Sequence, residues 1–214
     1  MNRKILLAAI PALGFVFLAW TAPQLNLRGD RFKPLVYEQL TAPQKAMIDH
    51  LLAGDRGGST TGPFNVLLRS PEMGDLAQQL GAQLRFHTSI PRKLNELAIL
   101  ITGRYWMAQY EWYSHHKLAL DAGLDPAIIE AVATGKRPGS MQPEEAAVYE
   151  FCHELLETKQ VSDAAFREVV NRFGERGAVD LIGVTGYYSL VSMALNVDRY
   201  PLPEGAKPEL KPLQ

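Results

Sequence analysis

In the stretch "YEWYSHHKLALDAGL", residues 110–124, Glu111 and His115 stand four apart and His116 follows directly, all side chains able to move protons. On a helix Glu111 and His115 fall about 40° apart on one face, close enough for the carboxylate to meet the imidazole. His116 turns about 100° further round, so one small site takes His115 rather than both. A third candidate, Glu96, lies fifteen residues before Glu111. If the chain reverses around Gly103 to Tyr105, an antiparallel helix pair brings Glu96 level with Glu111 and His115. Two carboxylates beside one imidazole in an apolar setting push the pKa values apart, so one group holds a proton near neutrality while another accepts one. That combination suits proton transfer at a carbon next to a carbonyl or carboxylate.

Around the trio stand Tyr105, Trp106, Tyr110, Trp112 and Tyr113, an aromatic wall fit for a flat or cyclic substrate. Tyr105, Tyr110 and Trp112 are the expected substrate contacts, and Arg104, in the turn, is expected to take a substrate carboxylate bidentately. The same pattern has a purely structural reading: a Glu/His pair at i, i+4 stabilises an exposed helix by only a few tenths of a kcal/mol. Glu96, Glu111 and His115 also offer donors that suit several divalent metals. The chain has no H-E-x-x-H pairing, and neither a metal nor a cofactor is expected.

These residues need helices to position them, and the periodicity supplies helices nearly throughout. One is expected from Pro43 to Leu52, stopped by the glycine-rich "GDRGGSTTGP", a connector without the spacing or ending of a phosphate loop. "SPEMGDLAQQLGAQLRF" opens with Ser70 as cap and Pro71 at the first helical position, with Leu76, Leu80 and Leu84 on one stripe. A helix starting at Pro91 halts near Gly103, the 110–124 helix ends at Gly123, and "DPAIIEAVATG" forms a short helix capped by Asp125. "QPEEAAVYEFCHELLETK", "SDAAFREVVNRFG" and "RGAVDLIGVTGYYSLVSMALN" complete the set. No alternating strand pattern appears, so the class is all-α.

The chain has 214 residues, 47% of them hydrophobic, with 22 Lys and Arg against 23 Asp and Glu. Such a chain buries one ordinary core, and no basic run interleaved with aromatics suggests a nucleic-acid partner. Residues 1–22 read as a signal peptide or N-terminal anchor: Arg3 and Lys4 precede an apolar stretch from Ile5 to Trp20, shorter than the roughly 20 residues that span a bilayer comfortably. A periplasmic or secreted location follows, or else a membrane tether through residues 5–20. Residues 23–40 read as a linker, 41–198 as the helical domain, and 199–214, with four prolines, as an extended arm. The lone Cys152 cannot form an internal disulfide and falls on the apolar side of its helix, as an inert core thiol.

Several blocks resemble the carboxymuconolactone decarboxylase family, which includes the AhpD-like alkylhydroperoxidases. They are "GPFNVLLRSPE", "ELAIL" at Glu96 to Leu100, "YEWYSHHKLALDAGL", and "GYYSLVSMALNVDRYPLP" at residues 186–203. In the family's thiol peroxidase branch a Glu is followed by C-x-x-C and a His. Counted from Glu96, those positions hold Ala108, Glu111 and His115, so both cysteines are absent and with them the nucleophile of that cycle. The decarboxylase branch is similar in keeping a Glu four before a His, here Glu111 and His115. The resemblance implies an AhpD-like helical bundle forming a homo-oligomer, trimeric or hexameric. It also implies a cofactor-independent lyase or isomerase acting on a small cyclic carboxylate, with His115 as proton donor, Glu111 as its partner and Glu96 as a second proton carrier or anchor. Two other functions fit the same residues. One is a non-catalytic periplasmic or membrane-tethered binding module; the other is a peroxidase working without the cysteine pair. The chain differs from the short cytoplasmic decarboxylases in its export-like start and in the residues that precede Gly62.

Overall fold

A computed structural model describes residues 22–213, and among them are eight α-helices and no strand. The all-α class is as the periodicity predicts. The helices are α1 (Ala42–Ala53), α2 (Phe64–Leu67), α3 (Pro71–Phe86), α4 (Arg92–Tyr105), α5 (Gln109–Asp121), α6 (Pro126–Ala133), α7 (Pro143–Glu157) and α8 (Asp163–Asp198). Their starts follow local chemistry. Asp125 accepts a hydrogen bond from the Ala127 amide at the head of α6, and Ser162 accepts one from the Ala165 amide at the head of α8.

α4 is the central element, packed against α5, α6, α7 and α8. Every residue from Leu94 to Arg104 is buried, which is why "LNELAILITG" is apolar nearly all round. Each large side chain here, such as Leu97 or Leu100, contributes about 1.5–3 kcal/mol of burial free energy. A smaller second core joins Leu27, Tyr37 and Leu40 to Met47, Ile48 and Leu51 of α1 and to Phe64 and Leu67 of α2.

The second core changes the expectation for residues 23–40. They are not a free linker: the Phe32 amide donates to Asp198 Oδ1 at 2.8 Å and the Arg31 amide to the Asp198 carbonyl at 3.2 Å. Their apolar side chains follow no helical or strand period, and they pack because the buried Asp198 satisfies the backbone.

α3 faces the opposite way from its leucine stripe. Leu84 is buried, but Leu76 is 70% exposed and Leu80 49%. The inward face carries Gly74, Ala77 and Gly81 instead. A Cβ on Gly74 would stand 2.6 Å from the Leu67 carbonyl oxygen, and one on Gly81 would stand 2.1 Å from the Tyr187 hydroxyl. Close approach of the neighbouring elements, not side-chain size, sets the face.

The last two expected helices form one element, α8, broken at Gly174 with φ 69° and ψ 178°, a conformation open essentially to glycine alone. Among the described residues α8 alone is long and apolar enough to cross a membrane, and half of its most apolar window is buried inside the fold. The Ile5 to Trp20 segment, expected as an export signal or anchor, lies outside the described residues. From Arg199 to Leu213 the chain is non-helical and returns over its own fold. Gln109 and Leu210 exchange hydrogen bonds of 2.7 and 3.2 Å, and Leu210 is buried.

Candidate functional site

α4 runs to Tyr105, and the reversal follows it, at Trp106 to Ala108, slightly later than the expected turn. The Trp106 amide donates to the Thr102 carbonyl and the Ala108 amide to that of Gly103, while Met107 takes a positive φ of 52°. α5 packs close over Gly103, with Glu111 Cγ and the Trp112 amide nitrogen each 3.8 Å from where a Cβ would stand. The pair is antiparallel and brings Glu96, Glu111 and His115 together. His115 Nδ1 lies 2.6 Å from Glu96 Oε2 and its Nε2 lies 3.0 Å from Glu111 Oε1.

All three residues are at most 4% exposed. The Glu96 contact is a short hydrogen bond. The Glu111 contact is an ion pair without hydrogen-bond alignment, and Glu111 Oε1 is buried with no hydrogen-bond partner. Burial by itself lowers the His115 pKa. The Glu111 charge, reinforced by the hydrogen bond to Glu96 and by the Glu96 charge, outweighs it and pushes the value up to about 9. The imidazole is therefore protonated at neutral pH, with the Nδ1 proton fixed on Glu96 and the Nε2 proton loosely held beside Glu111. The Tyr188 ring meets the imidazole edge-on at 5.1 Å, and burial raises its hydroxyl well above the ordinary tyrosine value.

Glu111 and His115 line a cavity of about 390 Å³, within the size range of small-molecule sites. Phe64, Phe86, Tyr110, Tyr187 and Tyr188 contribute its rings, Arg56 and Arg85 two positive charges, and Asp55 a negative one. The Arg56 guanidinium sits over the Phe64 ring at 5.2 Å. Its Nε and Nη2 are buried without a well-aligned hydrogen-bond partner. Those two nitrogens form the edge of a guanidinium that takes a carboxylate bidentately. Gly81 leaves the space into which the Tyr187 hydroxyl and Arg56 Nη2 both reach. The arrangement can bind an anion at one side and exchange a proton at the other.

Of the expected substrate contacts, only Tyr110 reaches this cavity. Arg104 and Tyr105 line a different one. Arg104 follows Glu96 by eight residues, a rotation of about 80° on the helix, enough to carry it off the shared face. Trp112, one residue after Glu111, turns into the core at 1% exposure and donates from Nε1 to Glu209 Oε2 at 3.0 Å. The same carboxylate oxygen lies 2.6 Å from His116 Nδ1, so His116 anchors the arm. Arg56, Arg85, Tyr187 and Tyr188 escape a reading of local spacing. Only the paired tyrosines, following Gly186 in an apolar helix, gave any signal.

Cys152 is fully buried, accepts a hydrogen bond from the Thr185 hydroxyl at 3.5 Å, and has its pKa pushed up to about 12 by burial. It has no thiolate to offer. Among the described residues no group of three or more His, Cys, Asp or Glu is arranged to hold a metal ion. No family model and no curated protein matches the chain.

Proposed function

We propose that this protein is a cofactor-independent lyase of the carboxymuconolactone decarboxylase-like class, acting on a small cyclic carboxylate. The observation that carries the reading is the buried Glu96–His115–Glu111 relay opening onto a cavity that Arg56 and Arg85 also line. In this reading the substrate's retained anionic group docks on Arg56, with Arg85 adding field. A guanidinium on the departing carboxylate would stabilise the ground state and slow its loss, so the departing group faces the tyrosines instead. The C–C bond breaks, CO2 leaves, and the electron pair collects in a conjugated enolate. His115 Nε2 delivers the proton to carbon; Glu111 stabilises the cation before transfer, and Glu96 fixes the ring.

The AhpD-like fold and the homo-oligomer, trimeric or hexameric, belong to the same proposal. Support for self-association comes from Met73, Leu76 and Leu80 on α3 and Val179 and Ile182 on α8, exposed on two helices that pack side by side. A periplasmic or secreted setting, or a tether through residues 5–20, rests on the basic and then apolar start of the chain.

The test is turnover without added metal or cofactor. Carboxymuconolactone and related cyclic acids are incubated with the protein while CO2 is followed. Arg56→Ala is expected to raise KM at least tenfold with a smaller loss in kcat. Stoichiometric binding of these acids with no product from any would replace the lyase by a binding module.

A further inference from the structure

The second cavity, between α4, α6 and α7, has a volume of about 530 Å³. Ile101, Val132 and Leu156 form a buried apolar wall, and Tyr105 and Tyr149 add rings. Leu213 of the arm closes part of the mouth, its side chain resting where a Cβ on Gly135 would be. Lys136, His153 and Glu157 stand exposed at the rim.

At the cavity's inner end is Arg104, only 6% exposed. Its Nη1 contacts Met107 Sδ at 2.6 Å, a weak acceptor. Nε and Nη2 are buried with no hydrogen-bond partner, and no ion pair involves Arg104 among the described residues. A buried guanidinium without a counter-ion is costly. Nothing in the acid-base relay needs it, since Arg104 shares no cavity with His115. The vacant Nε/Nη2 edge matches the two oxygens of a carboxylate. One guanidinium at the inner end and apolar walls leading outward fit a ligand with one charge and one apolar tail.

We propose that this cavity is a second binding site, taking a small amphipathic monocarboxylate with its carboxylate on Arg104 and its tail along Ile101, Val132 and Leu156. The site is independent of the lyase reading and stands or falls separately.

Octanoate, below its micellar concentration, is the probe, titrated calorimetrically into the full-length chain, with 1-octanol as the uncharged control. One octanoate is expected to bind per chain, with octanol at least tenfold weaker. Arg104→Lys, which keeps the charge but loses the fork, is expected to weaken octanoate at least tenfold, as is Val132→Phe, which fills the cavity. Arg56→Ala is expected to leave the affinity unchanged. Thermal unfolding supplies a readout that does not depend on the probe: Arg104→Met, which removes the unpaired charge, is expected to raise Tm without ligand and to abolish the Tm gain from octanoate. Absent octanoate binding, equal affinity for Arg104→Lys and wild type, or a lower Tm for unliganded Arg104→Met would overturn the proposal.

Discussion

Glu96 and Glu111 hold His115 from both ring nitrogens, and this makes part of the fold's stability depend on pH. The folded pKa, about 9, is above the ordinary histidine value of 6.5. Its contribution is therefore fully present below pH 6.5, declines as pH rises from there, and is gone above about pH 9. The Tm advantage of wild type over His115→Gln should shrink across that window in a series of melts at constant ionic strength; a pH-independent difference would contradict the buried imidazolium. Cys152 makes the opposite prediction. With its thiol buried and its pKa raised to about 12, it should resist alkylation by iodoacetamide in the native protein. Cys152→Ala should keep wild-type turnover, and a loss of activity without loss of fold would reopen a thiol mechanism.

At the scale of elements, two glycines decide geometry that larger residues would spoil. Gly81→Ala would force the Tyr187 hydroxyl away from its present place. Such overpacking costs about 1–3 kcal/mol, measurable by urea unfolding, and should also raise KM by disturbing the cavity wall. Gly174→Ala strains a backbone at φ 69° and ψ 178°, at a cost of about 1–3 kcal/mol. The relay was legible in the sequence because α4 and α5 are bounded by strong signals and lie next to each other in the chain. A short reversal leaves the register between Glu96 and His115 little freedom. Arg104 and Trp112 fall outside the relay's cavity because Arg104 is rotated about 80° from Glu96, and Trp112 about 100° from Glu111, on their helices. Leu76 and Leu80 misled for a related reason: where Gly74, Ala77 and Gly81 let helices approach closely, the small face goes inward. Arg56 was beyond local reasoning, since the Phe64 ring and the space at Gly81 fix a loop whose own residues carry no structural period.

For the whole molecule, the arm and the strap formed by residues 23–40 tie distant segments to the core that carries the candidate site. Glu209 holds both Trp112 and His116 of α5, and the buried Asp198 at the end of α8 holds the strap through Phe32. Loss of residues 209–213 should therefore lower Tm and weaken the relay's rigidity together, visible as faster amide exchange along α5. The Glu96–His115–Glu111 relay is proposed to perform acid-base chemistry on a bound cyclic acid. The most direct measurement is CO2 release from carboxymuconolactone by wild type and His115→Gln side by side, with circular dichroism verifying the helical fold of both. Release by wild type and a loss of about 10²–10⁴-fold in the variant are expected; equal release by the two, or none from wild type, would overturn the proposed chemistry.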